Sequence, residues 1–409
     1  MAFAAKLALP LVVLTYFGVA AGSYPGLKMN RATIALVGAV AMVAFNIMTP
    51  ATAMQAVDPN TLVLLFAMMV VSAHLRLAGF FDWVSQWLAN HTHSPRRLLV
   101  YIIVAAGVLA ALVLNDTVVV AFTPLVLTLT GRLERDPLPY LMGLAAAANI
   151  GSTATITGNP QNILIGQSSG IGYVDFLVTL GPVAIVGLAL AWVIIVIVYR
   201  AEFSRPWAAV GAQTAGAEIN AWQMQKCLVV IGLMLAAFLL GAPIALAAIV
   251  AAAVLLISRR TDPDDVFGHI DWPLLVFFTG LFVVTGALDA THLSDALFTA
   301  LAPLAGGGVA ALTLVAAALS NLISNVPAVL LFRSVVPQLA NPRLAWLTLA
   351  MASTLAGNLT LLGSVANLIV AETARGHGVR LSFREYLRAG VPITVATLAV
   401  GIGWLSSIH

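Results

Sequence analysis

Uncharged apolar runs recur along the whole chain, and no other feature limits its folding so severely. They occupy residues 7–21, 32–47, 98–114, 176–199, 227–257, 272–288 and 389–408. Several approach or exceed the ~20 residues a helix needs to cross a ~30 Å hydrocarbon core. Charge is scarce to match: 61% of the 409 residues are hydrophobic and 9% charged, against about 25% charged in soluble domains. The chain therefore belongs in a lipid bilayer, and the fold class it predicts is an all-α polytopic membrane protein. The net charge of +3 says little alone, because the placement of Lys and Arg is what orients membrane proteins. Nothing points to nucleic acid. Cys227 is the single cysteine, which excludes an internal disulfide. Lys6, the apolar run after it and Ala20-Ala21-Gly22 have the outline of a secretory signal. Lys226 heads a similar run in the second half, however, which favours reading both as first helices of a repeat.

That repeat is visible when one half is slid over the other. Residues 58–82 align without gaps on 271–295 at an offset of 213, pairing Asp58 with Asp271, Leu75 with Leu288 and Asp82 with Asp295. The offset falls to 210, pairing Leu112, Asn115 and Phe122 with Leu322, Asn325 and Phe332, and then to 205, pairing Thr155, Gly158 and Asn162 with Thr360, Gly363 and Asn367. Apolar similarity arises easily by chance; the same order of Asn, Gly and Thr does not.

Each repeat is expected to hold five transmembrane helices, one of them broken, plus one re-entrant hairpin. Residues 98–131 lie between Arg96-Arg97 and Arg132. That is too long for one span, and two limbs of about 16 residues reach only about 24 Å each at 1.5 Å per residue. The hairpin's tip then falls at Asn115-Asp116-Thr117, and that of its partner, residues 308–341, at Ser324-Asn325-Val326. An odd number of crossings inverts the second copy. Basic residues test this: with both termini outside, sixteen Lys and Arg face the cytoplasm and only Lys6, Arg333 and Arg343 face outward. The expected layout is a first repeat over 1–200 (scaffold helices 1–78, hairpin 98–131, broken helix 138–167, helix 173–200) and a cytoplasmic linker over 201–225. An inverted repeat over 226–409 follows (scaffold helices 226–290, hairpin 308–341, broken helix 343–371, helix 389–408). Residues 80–90 read as an interfacial amphipathic helix.

Two segments suit lipid badly, residues 149–162 and 353–367. Gly158-Asn159-Pro160 should break a transmembrane helix, and unpaired backbone at membrane depth survives only against protein or a wet cavity. Half-helix amide ends can hold an anion there, while freed carbonyls and Asn, Ser or Thr oxygens can hold a cation. The candidate substrate or ion site in the first half comprises Asn115, Asp116 and Thr117 at the tip. Ser152, Thr153, Thr155, Gly158, Asn159 and Asn162 join them from the break. In the second half the candidates are Ser324 and Asn325 at the tip with Asn358, Thr360, Gly363, Ser364 and Asn367 at the break. The competing reading makes these small residues helix-packing devices whose hydroxyls bond their own backbone. The duplicated Thr-x-x-Gly-x-x-x-Asn pattern favours the site.

With these motifs the chain resembles the ion-transporter superfamily that includes arsenite permeases, NhaD-type sodium/proton antiporters and divalent-anion/sodium symporters. The resemblance covers nearly the whole chain. Residues 149–166 look like the first-break signature of bacterial anion permeases. Leu114-Asn115-Asp116-Thr117 with Thr123-Pro124, and Ser320-Asn321 through Ser324-Asn325-Val326-Pro327, look like arsenite-permease hairpins. Dicarboxylate symporters carry Ser-Asn-Thr at both tips; neither tip keeps it here, which weakens the case for a dicarboxylate and for sodium. The resemblance implies a secondary active transporter of the cell inner membrane, moving a small anion or oxyanion by elevator or rocking motion. It also implies a homodimer through the scaffold helices. Arsenite efflux and sodium/proton exchange are the alternatives within this class, and a channel is the alternative outside it. No cofactor is expected, and the coupling ion is a proton or sodium.

Asp116 is the one acid placed near mid-membrane, where a charged Asp costs roughly 2.5–3.5 kcal/mol on insertion scales. It is therefore the expected proton carrier, although capping the second hairpin limb is also within its means. Arg333 is expected to snorkel outward, and His74, Arg76 and Asp82 to sit solvated at a helix end. His91-Thr92-His93 lacks further ligands and reads as unmetallated. With only amides, hydroxyls and one carboxylate in the cavity, no enzyme is expected.

Overall fold

The computed structural model describes residues 2–24, 26–205 and 220–408. Seven helix starts in this chain follow one local rule. Thr49-Pro50, Asp58-Pro59, Ser94-Pro95, Asp136-Pro137, Asn159-Pro160, Asp262-Pro263 and Asn341-Pro342 each place a short polar side chain before proline, and each side chain accepts a bond from an amide in the first turn. Proline loses nothing at the first helical position, and the cap satisfies an amide that lipid cannot.

The first half comprises α1 (Ala2–Ala21), α2 (Arg31–Ala44), the short α3 (Pro50–Ala56), α4 (Pro59–Leu77), α5 (Phe80–His91), α6 (Pro95–Leu112), α7 (Asn115–Arg132), α8 (Pro137–Ser152), α9 (Pro160–Ser169) and α10 (Tyr173–Val198). A single turn, α11 (Arg200–Phe203), follows. The second half repeats the same order: α12 (Ala221–Leu239), α13 (Ile244–Leu256), α14 (Pro263–Gly268), α15 (Trp272–Ala290), α16 (Leu293–Ala305), α17 (Val309–Ile323), α18 (Asn325–Phe332), α19 (Pro342–Ala356), α20 (Val365–Gly376) and α21 (Phe383–Ser407). No strand occurs among the described residues. Six of the helices, α4, α6, α10, α12, α15 and α21, are long and apolar enough to cross a membrane by themselves.

Packing exchanges partners between the halves: α2 lies on α15 and α13 on α4, while α6 packs on α8 and α17 on α19. The innermost elements are α8, buried from Pro139 to Ser152, and α19, buried from Ala345 to Ala356. Their alanines and glycines permit this. At Gly151 a Cβ would lie 2.1 Å from the Gly107 carbonyl oxygen, so α8 meets α6 backbone to backbone.

Several boundaries differ from the sequence expectation. The first hairpin limb begins at Pro95 rather than 98, because Ser94 caps the Arg97 amide, and the limb grows to 18 residues. The last helix begins at Phe383 rather than 389, where Ser382 caps Glu385. α12 takes over residues 221–225 of the expected linker, with Asn220 as its cap; residues 206–219 of that linker lie outside the described residues. The second limb of the second hairpin, expected to run to 341, ends at Phe332, and Pro337 in the turn that follows cannot continue a helix.

Candidate functional site

The two helix breaks are built alike. Between α8 and α9 the chain leaves helix at Thr153 and resumes at Pro160; between α19 and α20 it leaves at Gly357, passes a 3-10 turn at Leu361–Gly363 and resumes at Val365. Asn162 turns its amide back to donate to the Ser152 and Thr155 carbonyls, both at 3.0 Å. Its counterpart Asn367 donates to the Gly357 and Thr360 carbonyls at 2.7 and 3.1 Å. Glycine is required inside both loops: a Cβ at Gly158 would stand 2.4 Å from the Ser152 oxygen, and one at Gly363 2.9 Å from the Gly357 oxygen. Each asparagine thus satisfies two of the carbonyls that a broken helix frees.

The breaks are also tied to each other. Asn149, on the last turn of α8, donates to Asn358 Oδ1 at 2.9 Å and Asn367 Oδ1 at 3.1 Å, and accepts from Ser364 Oγ at 3.0 Å. Thr354, its counterpart on α19, accepts from Asn159 and Gln161, both at 3.3 Å, and donates to Asn162 at 3.4 Å. Asn159 and Ser364 meanwhile cap α9 and α20. The Ser152 and Thr153 hydroxyls donate to the Asn149 carbonyl of their own helix, and Ser152 Oγ also accepts from the Asn159 side-chain amide at 2.9 Å.

The hairpin tips close over this network. Asn115 donates its side-chain amide to Asn149 Oδ1 at 3.2 Å and its backbone amide to the Gly158 carbonyl at 2.9 Å. Thr155 Oγ1 donates to the Ala111 carbonyl at 2.6 Å, and Thr360 Oγ1 to Asn321 Oδ1 at 3.4 Å, anchoring each break to its own hairpin. At the second tip Ser324 adopts φ +77°, a backbone that L residues rarely hold, and Asn325 opens α18 without a side-chain cap. Two buried side-chain oxygens at these tips have no partner, Asn115 Oδ1 and Asn325 Oδ1, and they occupy equivalent positions in the two halves. The N-termini of α7, α9, α18 and α20 converge here, supplying partial positive charge from their amides.

Asp116 and Thr117 do not join the amide network. They face a cavity of about 150 Å³ between α4, α7 and the α14–α15 connection, together with Ser72, Arg76, His269 and Asp271. Pro160 and Val365 line the same space, so it reaches the starts of both α9 and α20. A second cavity, of about 410 Å³, lies between α3, α15 and the end of α18 and is lined by Gln55, Thr285, Asp289 and Arg333 among others. No tip or break residue borders it.

These positions revise one expectation. His74 is buried, with 2% of its surface exposed, and its Nδ1 lies 2.9 Å from the Val70 carbonyl; it is not solvated, because α12 and α13 pack over that end of α4. Arg76, exposed in the last turn of α4 as expected, also lines the Asp116 cavity. Arg333 lies over the Phe282 ring, 5.7 Å from its centroid, at the second cavity. His91 stacks on Trp87, and no cluster of metal-ligating side chains occurs among the described residues. Sequence reasoning missed Asn149, Thr354, Gln161 and Asn321. The offset of 205 that pairs Asn162 with Asn367 also pairs Asn149 with Thr354, and that was the available signal.

A family model described as a citrate transporter matches residues 13–356. The chain belongs to the citrate transporter family. Two of its relatives are named as transporters. A silicon efflux transporter of Oryza sativa subsp. japonica is 31% identical, over 95% of this chain and 94% of that one. A putative transporter, arsB, of Dictyostelium discoideum is 23% identical, over 92% and 87%. The fold matches the YdaH transporter of Alcanivorax borkumensis with a TM-score of 0.61 at 14% identity, covering 99% of this chain and 98% of that one. This citrate-transporter-family chain is therefore a polytopic membrane transporter with that fold.

Proposed function

We propose that the protein is a proton-coupled secondary carrier for a small hydroxylated oxyacid, taken up by the site in its protonated, uncharged form. The observation that carries this reading is the pair of buried, unpartnered oxygens, Asn115 Oδ1 and Asn325 Oδ1. An acceptor without a donor is costly in an apolar surround, and a solute that brings hydroxyl groups satisfies both at once. Helix-start amides at the same tips supply donors for the solute's own oxygens. No Lys or Arg bonds into the amide network among the described residues, and the acid at its edge, Asp116, repels anions. A multiply charged carboxylate such as citrate finds no fixed counter-charge there. Boric, silicic and arsenous acids are hydroxylated and largely uncharged near neutral pH. Relatives named for silicon efflux and for arsB support this class.

Alternating access supplies the mechanism. The α2–α15 and α4–α13 pairs serve as scaffold and as the contact to a second copy, and the hairpins with the broken helices form the moving unit. The basic-residue bias puts Arg76 on the cytoplasmic side and both termini outside, and it inverts the second half relative to the first. The cavity that reaches the first tip and both breaks then opens to the cytoplasm. Asp116, at its wall, takes the proton that drives the cycle.

The test uses purified protein in liposomes. Uptake of arsenite and of germanic acid, a silicic acid analogue, is measured beside citrate, under imposed pH and sodium gradients. Saturable uptake of an uncharged acid that follows the pH gradient is expected. Saturable citrate uptake with none of the hydroxylated acids would overturn the substrate class, and flux that never saturates would make the protein a channel.

A further inference from the structure

The two cavities are one design carried out twice. On α4 the lining residues Met69, Ser72, Ala73 and Arg76 follow a spacing of three, four and seven from the first, a single helical stripe. On α15 the stripe is Phe282, Thr285, Gly286 and Asp289, the same four positions at the offset of 213. The opposite wall is the second hairpin limb in each case, with Asp116, Thr117 and Val120 from α7 and Leu330, Arg333 and Ser334 from the end of α18. His269 and Ala56 occupy equivalent places at the edge. One property is reversed. In the first cavity the scaffold helix carries the cation and the hairpin the anion; in the second the scaffold carries the anion and the hairpin the cation.

We propose that Arg76 with Asp116, and Asp289 with Arg333, are two opposed electrostatic latches that hold the moving hairpins at the two ends of the carrier cycle. This rests on the alternating-access reading given above. Asp116 is the second residue of its limb, whereas Arg333 lies eight residues beyond the start of α18, about 12 Å along a helix. In the inverted arrangement, movement toward the cytoplasm carries Asp116 toward Arg76 and takes Arg333 away from Asp289; the return movement does the reverse. Each pair lines one cavity here, the cavity being smaller on the Arg76 side, and Arg333 rests on the Phe282 ring. Protonation of Asp116 removes its charge and frees the first latch, which links the proton to the movement. Asp271 and His269 share that first cavity, while Asp289 and Arg333 are the only titratable groups among the described residues lining the second. The second pair is therefore the cleaner one to test.

The experiment compares wild type, Asp289→Arg, Arg333→Asp and the double exchange in proteoliposomes, reading arsenite counterflow at equal pH. Each single change places like charges across the cavity and is expected to slow counterflow about tenfold, and the double exchange to recover it to within about threefold. A double exchange as slow as the single changes, or single changes as fast as wild type, overturns the latch. A cysteine pair replacing Asp289 and Arg333 in a Cys227→Ala background covers the case of misfolding. Oxidation is expected to cross-link it and to stop counterflow until reductant is added, and failure to cross-link also overturns the proposal. Wild-type counterflow in the same vesicles separates the two levels. Its absence defeats the carrier reading, whereas its presence with a failed exchange defeats the latch alone.

Discussion

Asn149 and Thr354 hold equivalent places on α8 and α19, and each bonds the cap and third residue of the other half's broken helix: Asn149 takes Ser364 and Asn367, Thr354 takes Asn159 and Asn162. This reciprocal exchange makes the two breaks one body. It also explains why amides dominate: an asparagine both donates and accepts, so it can bond across halves without bringing charge to membrane depth. The two residues carry unequal loads. Asn149 also receives Asn115 and reaches Asn358, and its bonds are 2.9–3.2 Å long, whereas those of Thr354 are 3.3–3.4 Å.

Asn149→Ala should therefore cost more than Thr354→Val. Its removal leaves Asn115, Asn358, Asn367 and Ser364 each short of a partner, at about 1–3 kcal/mol for each buried group that finds no replacement. Thermal unfolding in detergent, followed by size-exclusion or tryptophan fluorescence, should show a drop for Asn149→Ala at least twice that for Thr354→Val. The opposite ranking would mean that the bridge is held from the α19 side.

Asn325→Ala should separate binding from folding. Its Oδ1 has no partner in the protein, so losing it should leave thermal stability within about 0.5 kcal/mol of wild type. Affinity for a hydroxylated acid should weaken by about tenfold, the worth of one to two hydrogen bonds. Asn115→Ala should lose both properties, because that side chain also bonds Asn149. Unchanged affinity in both variants would return the tips to packing.

How much of this was legible depended on whether the cause was local. Helix starts are written in two adjacent residues, as at Asp136-Pro137 and Asn341-Pro342, and the breaks in Gly158-Asn159-Pro160, so element order could be read from the chain. The repeat was legible because Asn162 and Asn367 do the same work on carbonyls seven and ten residues back. Asn149 was not, because its value comes from four partners, three of them more than 200 residues away. That Arg76, at the end of α4, also faces a cavity was not legible for the same reason: α7 and the α14–α15 connection, which complete that cavity, are distant in sequence.

Topology has its own test. In a Cys227→Ala background, single cysteines at Ser23, Arg132 and Gly376 should react with an impermeant thiol reagent only from the cytoplasmic side, and a cysteine at His292 only from outside. The sixteen-to-three division of basic residues supports this assignment. Labelling of positions 97 and 132 from opposite sides would turn the first hairpin into a spanning pair and remove the inversion. The 18-residue length of α6 makes that comparison the informative one.

The proposed proton coupling is tested at Asp116. It stands in the first turn of α7, where the helix end favours its charge, while the apolar surround and Asp271 in the same cavity oppose it. A carboxylate balanced in this way can change protonation as the cavity opens and closes. A variant that cannot titrate should still bind solute at the amide network, from which Asp116 is absent. Asp116→Asn should therefore fold and keep arsenite counterflow at equal pH, which needs no net proton movement, but lose accumulation driven by a pH gradient. Both are measured in the same proteoliposomes, with a sodium gradient as the parallel arm. If the variant still accumulates solute on a pH gradient alone, Asp116 is only the acidic residue of a helix start. If it accumulates solute on a sodium gradient, the tip oxygens of Asn115 and Asn325 become the coupling-ion site.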